Sequence, residues 1–370
     1  MSDSPLYVTS PLMPPVDELV SLVNEIWNEK RLTNFGTMHE RLEQSLAEFL
    51  EVQDLILVNS GTSALTASLQ VLGKAGKVIT SPFSFVATAS SIIAAGCEPI
   101  FVDIEKSSMG LDPRQVELAL QQYPDVVGIL PVHCYGFPSD VEALEAIAHS
   151  HRLPVVYDGA HAFKSSCHCG NLLSHGDLVA LSFHATKVFS TGEGGAVVAN
   201  TPELAAAVRR VRNFGYERPD LISSVGYNYK MPELSAALGL INLRKVTSSL
   251  NRRMEIWEIY RRLLAGSKKF QLVEPPHKVG WNYAYAPVLV HENSPIKRDE
   301  LLSALASELI FGRAYFAPLI SDWEPYKRFT RFGSLQVARG ISERIFCLPL
   351  SANMSESEAL RVVEALESFA

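Results

Sequence analysis

The chain has 370 residues, of which 47% are hydrophobic and 20% charged, with a formal net charge of -7 and a pI near 5.8. This composition is typical of a folded globular protein, and the length predicts a large domain accompanied by a smaller one. The acidic balance argues against a broad electrostatic role on nucleic acid or on an anionic membrane.

Short apolar runs in the first two-thirds of the chain are strand candidates. Most are nearly continuous in apolar residues, as strands buried on both faces are. They are Leu55–Asn59, Lys77–Thr80, Pro99–Ile104, Val126–His133, Pro154–Tyr157, Leu178–Phe183 and Ala196–Ala199. Helical patterns lie between them, so we predict an α/β fold with a mainly parallel seven-stranded sheet between helices. Ligands of such sheets bind beyond the carboxyl ends of the strands.

Two helix starts can be located from capping patterns. Asp112 followed by Pro113 combines an N-cap residue with proline at the first helical position. Ser139 and Glu142 have the spacing of a capping box, in which a serine and an acidic residue satisfy the first amides of a helix.

The last third of the chain has a different pattern. From about Leu234 a long, charged helix is predicted, and Ser355 with Glu358 predicts the cap of a final helix. We therefore predict a large domain over residues 1–240 and a smaller C-terminal α+β domain over residues 241–370. The first 30 residues or so are expected to pack on the smaller domain.

A turn rich in glycine and hydroxyl groups follows the first predicted strand, over residues 59–64. Gly61 allows a tight turn and a close approach of the backbone. The amides of Thr62 and Ser63 would face outward at a helix N-terminus, an arrangement that binds an anionic phosphate. A plain Ser/Thr helix cap is the alternative, and the turn alone favours that cap.

A carboxylate, Asp158, is expected at the end of a central buried strand, where its charge is costly unless it is paired. It could pair with a protonated heteroaromatic nitrogen, or it could bind local backbone amides. His161, three residues later, could hydrogen-bond a ligand or fill a turn.

Lys187 leaves a buried strand, in the run Ser182–Lys187, and enters a glycine-rich turn. Burial lowers the pKa of an amine and makes it a usable nucleophile for an aldehyde. The alternative is a surface lysine at the start of a loop, which the preceding strand and the glycine-rich exit argue against. The later run Gly226–Met231 either reaches a ligand or caps a helix, and the residues leave both open.

These motifs, in this order, resemble those of the DegT-type sugar aminotransferase family, a branch of the aspartate-aminotransferase fold (fold type I of pyridoxal-phosphate enzymes). The resemblance runs from about Thr33 to the C-terminus and rests on several stretches. They are residues 59–65, 81–88, 131–136, 157–163, 182–187, 192–195 and 226–239.

The resemblance implies a role for each matching residue. Lys187 would form a Schiff base with pyridoxal 5'-phosphate and later move a proton. Asp158 would pair with the pyridine nitrogen, and His161 would lie near the phenolic oxygen of the cofactor. The other implied contacts are Phe85 on the ring face, Gly61, Thr62, Ser63 and Ser182 around the phosphate, and Asn228 reaching the phosphate from the second subunit of a homodimer.

The resemblance also implies a reaction. L-glutamate would donate its amino group through the cofactor to a nucleotide-linked keto-deoxy sugar. The nearest resemblance within the family is to enzymes that make dTDP-4-amino-4,6-dideoxyglucose, so we expect amination at C4 of dTDP-4-keto-6-deoxyglucose. The alternatives are amination at C3, a sugar dehydratase that uses the cofactor, and a binding or regulatory protein without catalysis. The segment Gly312–Phe316 either shapes the sugar site or packs within the small domain.

The five cysteines are odd in number and scattered, which favours reduced thiols over a disulfide framework. Cys167-His168-Cys169, with His161 and His175 nearby, lies in a segment that departs from the family pattern. Zinc sites usually space paired cysteines by two or more residues and add a second pair, which this sequence lacks. We therefore predict an ordinary loop and no metal site.

The N-terminus lacks a basic region followed by an apolar run, so no secretory signal is evident. No stretch approaches the roughly 20 apolar residues of a membrane span. We expect a cytoplasmic enzyme that binds neither membrane nor nucleic acid.

Overall fold

Helices and short strands alternate through residues 4–276 and 279–369, the part of the chain that the computed structural model describes. The helices there are α1 (Val16–Glu29), α2 (Thr37–Leu50), α3 (Gly61–Val71), α4 (Ala87–Ala94), α5 (Pro113–Gln122), α6 (Val141–His151), α7 (Pro202–Val211), α8 (Glu233–Leu263), α9 (Arg298–Ser307), α10 (Gln336–Ser342) and α11 (Glu356–Ser368). No helix within these described ranges combines the length and the apolar character that crossing a membrane requires.

Every strand in the described part of the chain has five residues or fewer. They are β1 (Leu6–Tyr7), β2 (Asp54–Val58), β3 (Lys77–Thr80), β4 (Glu98–Phe101), β5 (Val126–Leu130), β6 (Val156–Asp158), β7 (Ser166–Cys167), β8 (Gly170–Asn171), β9 (Leu178–Ser182), β10 (Gly195–Ala199), β11 (Tyr216–Arg218), β12 (Leu221–Ile222), β13 (Phe270–Leu272), β14 (Ala286–Val290), β15 (Ile310–Phe311), β16 (Thr330–Arg331) and β17 (Ile345–Leu348).

The central sheet confirms the predicted mainly parallel arrangement. Its two hydrogen-bonded halves run β2-β10-β9-β6 and β5-β3-β4-β16, and parallel bridges such as Val132 to Asp158 join β5 to β6. Only β10 runs antiparallel to its neighbours in this sheet, within the described residues. The link from β9 to β10, residues 183–194, contains no helix, so the chain turns back instead of crossing over. All seven predicted strands are in this sheet, and a short eighth strand, β16, is added at its edge beside β4.

Two of the predicted helix caps are present and one is wrong. The Asp112 carboxylate accepts from the Arg114 amide at 2.8 Å, and Ser355 forms the predicted capping box at α11. At α6, however, the cap is the Asp140 carboxylate, which accepts from the Ala143 amide at 3.1 Å. Ser139 is buried, and its hydroxyl donates instead to a carbonyl after β5, so the cap moves by one residue.

A second apolar core fills the C-terminal part of the chain. It packs Trp257 and Tyr260 of α8 against the antiparallel sheet β13-β14-β17 and α11. Strand β1 pairs with β15, with Leu6 beside Ile310, so the N-terminal residues join this part of the structure. This core supports the division at residues 240 and 241, which stays a prediction because α8 continues through it.

A carboxylate from α8 caps the start of α2. Glu233 is 1% exposed and accepts from the amides of Gly36 (3.1 Å), Met38 (2.8 Å) and His39 (3.3 Å). Gly36 has no side chain to cap the helix, and a Cβ there would lie 2.6 Å from the Glu233 carboxyl carbon. Glu233 therefore satisfies orphan amides of a helix nearly 200 residues earlier in the chain.

The cysteines correct the prediction that all five thiols are reduced. Cys167 and Cys169 form a disulfide across the tight β7–β8 hairpin, in which Gly170 has a φ of +121°. The other three cysteines, Cys97, Cys134 and Cys347, are free and buried. The geometry of this turn brings the two sulfurs together. The spacing of the cysteines in the sequence does not reveal that geometry.

Candidate active site

A cavity of about 330 Å³ lies beyond the carboxyl ends of the parallel strands, where ligands of such sheets bind. Asp158 is the last residue of β6, and Ser182 is the last residue of β9. The cavity brings together most of the predicted site residues: Gly61, Thr62, Phe85, Asp158, His161, Ser182 and Lys187. Their convergence from separate elements supports a single site.

The first wall of the cavity is the N-terminus of α3. Ser60 caps this helix, accepting from the Ser63 amide at 3.0 Å, while the Ser63 hydroxyl accepts from the Ser60 amide at 3.0 Å. Gly61 packs against Ser182 so closely that a Cβ would lie 2.6 Å from the Ser182 Cβ. The free amides of the first turn and the hydroxyls of Thr62 and Ser182 therefore meet, as a phosphate site requires.

Ser63 is placed differently from the other predicted phosphate ligands. It is 6% exposed, and its hydroxyl also donates to the Asn59 side chain at 2.7 Å. Both its amide and its hydroxyl serve the capping box, which was the alternative that the turn alone favoured. A phosphate role for Ser63 stays a prediction, and the geometry favours Thr62 and Ser182.

Asp158 is 4% exposed and is held by two donors. The Thr88 hydroxyl donates to its Oδ2 at 2.7 Å, and the Ala160 amide donates to its Oδ1 at 3.1 Å. Burial raises the pKa of the carboxyl, although these hydrogen bonds and the nearby Lys187 amine oppose the change. Asp158 is therefore a fixed, costly buried charge that a cationic ligand nitrogen would stabilise.

His161 is also oriented by its neighbours. The Tyr135 amide donates to Nδ1 at 3.1 Å, so the proton of the neutral ring is on Nε2. Burial lowers the pKa of the ring well below its usual range, and the Lys187 charge acts in the same direction. The ring lies parallel to Phe316, with centroids 6.0 Å apart. His161 can thus donate one hydrogen bond from a ring that stays neutral.

Lys187 lies in the turn between β9 and β10. The turn is closed by backbone bonds, including Thr191 N to Phe183 O at 2.9 Å. Burial lowers the pKa of the Lys187 amine from 10.5 to about 8, while the charge of Asp158 acts in the opposite direction. Roughly a tenth of this amine is therefore uncharged at pH 7, far more than of an ordinary lysine, and the uncharged form is the nucleophile for an aldehyde.

The lowered pKa predicts the pH at which Lys187 reacts. In the cofactor-free protein, modification of Lys187 by trinitrobenzenesulfonate should rise with pH and reach half its maximum rate near pH 8. Ordinary surface lysines become mostly neutral only above about pH 10. Peptide mass spectrometry after short exposures at each pH measures both. A Lys187 profile that follows the surface lysines would contradict the burial argument.

The sequence left two roles open for the segment Gly312–Phe316, in the sugar site or in packing of the small domain. Arg313, Tyr315 and Phe316 line the cavity, so part of the predicted segment Gly312–Phe316 does face the site. The Arg313 guanidinium lies 4.8 Å from the centre of the Tyr315 ring, and its backbone pairs with Cys347 of β17. These residues bring a positive charge to the cavity from the C-terminal part of the chain.

Asn228, like Ser63, is a predicted site residue that does not line this cavity. Its side chain is exposed, and its carbonyl accepts from the Asn59 amide group at 3.3 Å. It follows the β11–β12 hairpin, where Ile222 and Val225 are 59% and 79% exposed. The resemblance placed Asn228 in the site of a second subunit, and that role stays a prediction.

The cavity residues fit pyridoxal phosphate. Gly61 allows the start of α3 to approach Ser182, so the first amides of α3 and the Ser182 hydroxyl can bind one phosphate. Asp158 offers a buried carboxylate to a pyridine nitrogen. Phe85 is 55% exposed at the cavity wall, where a flat ring can pack on it. Lys187 supplies the amine that binds an aldehyde.

Comparison with known proteins agrees with this geometry. The model of the DegT/DnrJ/EryC1/StrS aminotransferase family matches residues 16–367. A dTDP-4-amino-4,6-dideoxy-D-glucose transaminase of Shigella dysenteriae is 43% identical over 99% of this chain and 100% of its own. An Escherichia coli transaminase of the same name is 34% identical over 99% of both chains.

A solved structure extends the similarity to the whole fold. The crystal structure of DesI, determined in the presence of its TDP-sugar product, superposes with a TM-score of 0.94 at 29% identity. The match covers 99% of this chain and 93% of the DesI chain. The similarity therefore includes both the central sheet and the C-terminal part.

Proposed function

Since the chain belongs to the DegT/DnrJ/EryC1/StrS aminotransferase family, we propose that it moves the amino group of L-glutamate to C4 of dTDP-4-keto-6-deoxyglucose. The enzyme is a pyridoxal-phosphate-dependent sugar aminotransferase, as the sequence predicted. The observation that carries the particular sugar is the 43% identity, over the whole length, to a transaminase named for dTDP-4-amino-4,6-dideoxy-D-glucose.

Different residues of the cavity have different roles in amino transfer. Bound pyridoxal phosphate supplies an aldehyde that carries the amino group and a ring that accepts electrons when a substrate proton leaves. Thr62, Ser182 and the first amides of α3 would bind the phosphate. Asp158 would keep the ring nitrogen protonated. Lys187, with its lowered pKa, would take a proton from the substrate carbon as a base and return it as an acid.

His161 and Phe85 would hold the cofactor ring in place. The Nε2 proton of His161 is available to the phenolic oxygen, because the Tyr135 amide occupies Nδ1. Phe85 would pack on one face of the ring. These contacts would orient the cofactor without taking part in proton transfer.

The specific substrate can be tested by product analysis. The purified enzyme should convert dTDP-4-keto-6-deoxyglucose and L-glutamate into the 4-amino sugar nucleotide and 2-oxoglutarate, with nitrogen at C4 shown by NMR. A 3-keto isomer serves as the matched alternative. No aminated product, or faster amination at C3, would contradict the assignment, and conversion with another amino donor alone would exclude L-glutamate.

Arg313 is expected to bind the negative charge of the nucleotide sugar. Replacing it with alanine should raise KM for the sugar by roughly 10- to 100-fold, the loss expected for a hydrogen bond to a charged group. The value of kcat should change much less, since the proposal gives Arg313 a role in binding and none in proton transfer. Arg328→Ala is the control, because Arg328 is exposed and lies over Phe329 outside the cavity. Steady-state kinetics with each substrate varied would show whether the glutamate KM rises instead.

A homodimer with shared sites completes the proposal. Asn228 is exposed beside the apolar residues of the β11–β12 region, an arrangement that a subunit interface would cover. A mixture of Lys187→Ala and Asn228→Ala chains should regain activity if each site draws on both subunits. An enzyme that sediments as an active monomer would exclude this arrangement.

A further inference from the structure

The β7–β8 hairpin places two sulfurs beside a histidine. The Nε2 atom of His175 lies 3.4 Å from the Cys167 sulfur and 3.3 Å from the Cys169 sulfur. A tetrahedral zinc, with Zn–S near 2.3 Å and Zn–N near 2.0–2.1 Å, holds such S and N atoms roughly 3.6 Å apart. The two observed N–S distances are therefore close to those in a site where His175 and both sulfurs bind one zinc ion.

The other nitrogen of this ring has the partner that metal-binding histidines usually have. The Nδ1 atom of His175 lies 3.2 Å from a Glu145 carboxylate oxygen, which also accepts from the Gly176 amide at 2.7 Å. The carboxylate holds the proton on Nδ1 and leaves the Nε2 lone pair directed at the sulfurs. A carboxylate behind the ring is the usual support of a zinc-bound histidine.

We propose that Cys167, Cys169 and His175 bind Zn²⁺ when the disulfide between the two cysteines is reduced. Reduction by an external phosphine or thiol supplies two electrons and two protons, and the two thiols lose those protons when they bind the metal as thiolates. Two thiolates and an imidazole are the ligand types that zinc prefers. Glu142, which forms a group with His168 and Cys169 within 4.8 Å, can supply a fourth ligand.

The sequence pattern argued against zinc because only one residue separates the cysteines and no second pair follows. The fold replaces that second pair with His175 and with Glu142 of α6, both outside the local motif. The site is also accessible, since Cys169 is exposed while Cys167 is 7% exposed.

The hairpin connects this site to the segment that carries His161. The Asn171 side chain donates to the Leu50 carbonyl at 2.8 Å, and the Ser166 amide donates to the Gly280 carbonyl at 2.9 Å. Close by, the Asn282 amide group donates to the His161 carbonyl at 2.7 Å. Zinc would therefore stabilise the loop after His161, and its role would be structural, since neither sulfur lines the cavity.

The holoenzyme tests this directly. Protein reduced with a phosphine under nitrogen and cleared of metal by a chelator receives Zn²⁺ and is desalted before metal analysis. We expect one zinc per chain and a higher melting temperature in the wild type and in Cys97→Ser, a matched change at a free cysteine outside the cluster. Cys169→Ser and His175→Gln should lose the bound zinc, and Glu145→Gln should bind it roughly tenfold more weakly.

Cobalt and thiol titration distinguish a metal site from a disulfide alone. Co²⁺ added to the reduced wild type should give the visible bands of a tetrahedral site with thiolate ligands, and Cys169→Ser should not. The proposal is overturned if the reduced wild type shows five thiols and retains no zinc, or if Cys169→Ser retains as much zinc as the wild type. These readouts do not depend on the sugar substrate, so the proposed function can fail without affecting them.

Discussion

Replacing Lys187 with alanine is expected to lower turnover by about 10⁴-fold or more, near the upper range for loss of a positioned proton-transfer group. Lys187 follows the end of β9 by five residues and lines the cavity, and burial lowers the pKa of its amine to about 8. The cavity has no second lysine among the described residues that could replace it. The same change should remove the covalent attachment of the cofactor.

Two measurements separate these effects. Borohydride reduction followed by peptide mass spectrometry should find the cofactor on the peptide containing Lys187 in the wild type and not in the variant. Rapid mixing with L-glutamate measures the first half of amino transfer. Lys77→Ala is the matched control, because the Lys77 amine is outside the cavity, where it pairs with Asp125 and lies 5.2 Å from the centre of the Tyr123 ring. Wild-type turnover in Lys187→Ala would remove Lys187 from the mechanism.

Asp158→Asn should lower kcat by roughly 10²- to 10³-fold, the range for losing one fixed charge aimed at a developing charge. The asparagine fills the same space, but its neutral amide cannot hold a proton on the ring nitrogen of the cofactor. It also cannot accept from both Thr88 and the Ala160 amide, because its nitrogen is a donor. Weaker retention of the cofactor is expected with the fall in kcat.

The control for this substitution is Asp140→Asn. Asp140 caps α6, and asparagine is an equally good N-cap residue, so neither stability nor kcat should change. Cofactor content after gel filtration and kcat at saturating substrates are the two readouts. If Asp158→Asn retains kcat within threefold of the wild type, the carboxylate does not stabilise the charged ring.

The central sheet could be predicted because its strands carry their own signal. Runs buried on both faces, such as Val126–Leu130, are apolar throughout, and the helices between them imply parallel neighbours. The direction of β10 depends on the short link before it, and the cap at Asp140 depends on the burial of Ser139. Both outcomes depend on packing, which local sequence patterns do not contain.

The candidate site, like the fold, could be predicted only in part from the sequence. Lys187 and Asp158 follow buried strands, so the sequence locates them at one edge of the sheet. Thr88 lies within a stretch that carries the family resemblance, yet only the folded chain shows that its hydroxyl binds Asp158. Arg313 reaches the cavity from the C-terminal part of the chain, and His175 meets Cys167 only across a hairpin. Contacts of this kind leave no periodic signal in the sequence.

The cap of α2 by Glu233 has a consequence for how the molecule loses its structure. Glu233 begins α8, whose later turns, including Trp257 and Tyr260, belong to the C-terminal core. The earlier turns of α8, including Leu240 and Ile241, pack in the first core beside α2. One unbroken helix therefore belongs to both cores, and the cores cannot separate without breaking that helix or exposing its apolar side chains. We expect the two predicted domains to unfold together, with the cap of α2 by Glu233 lost in the same transition.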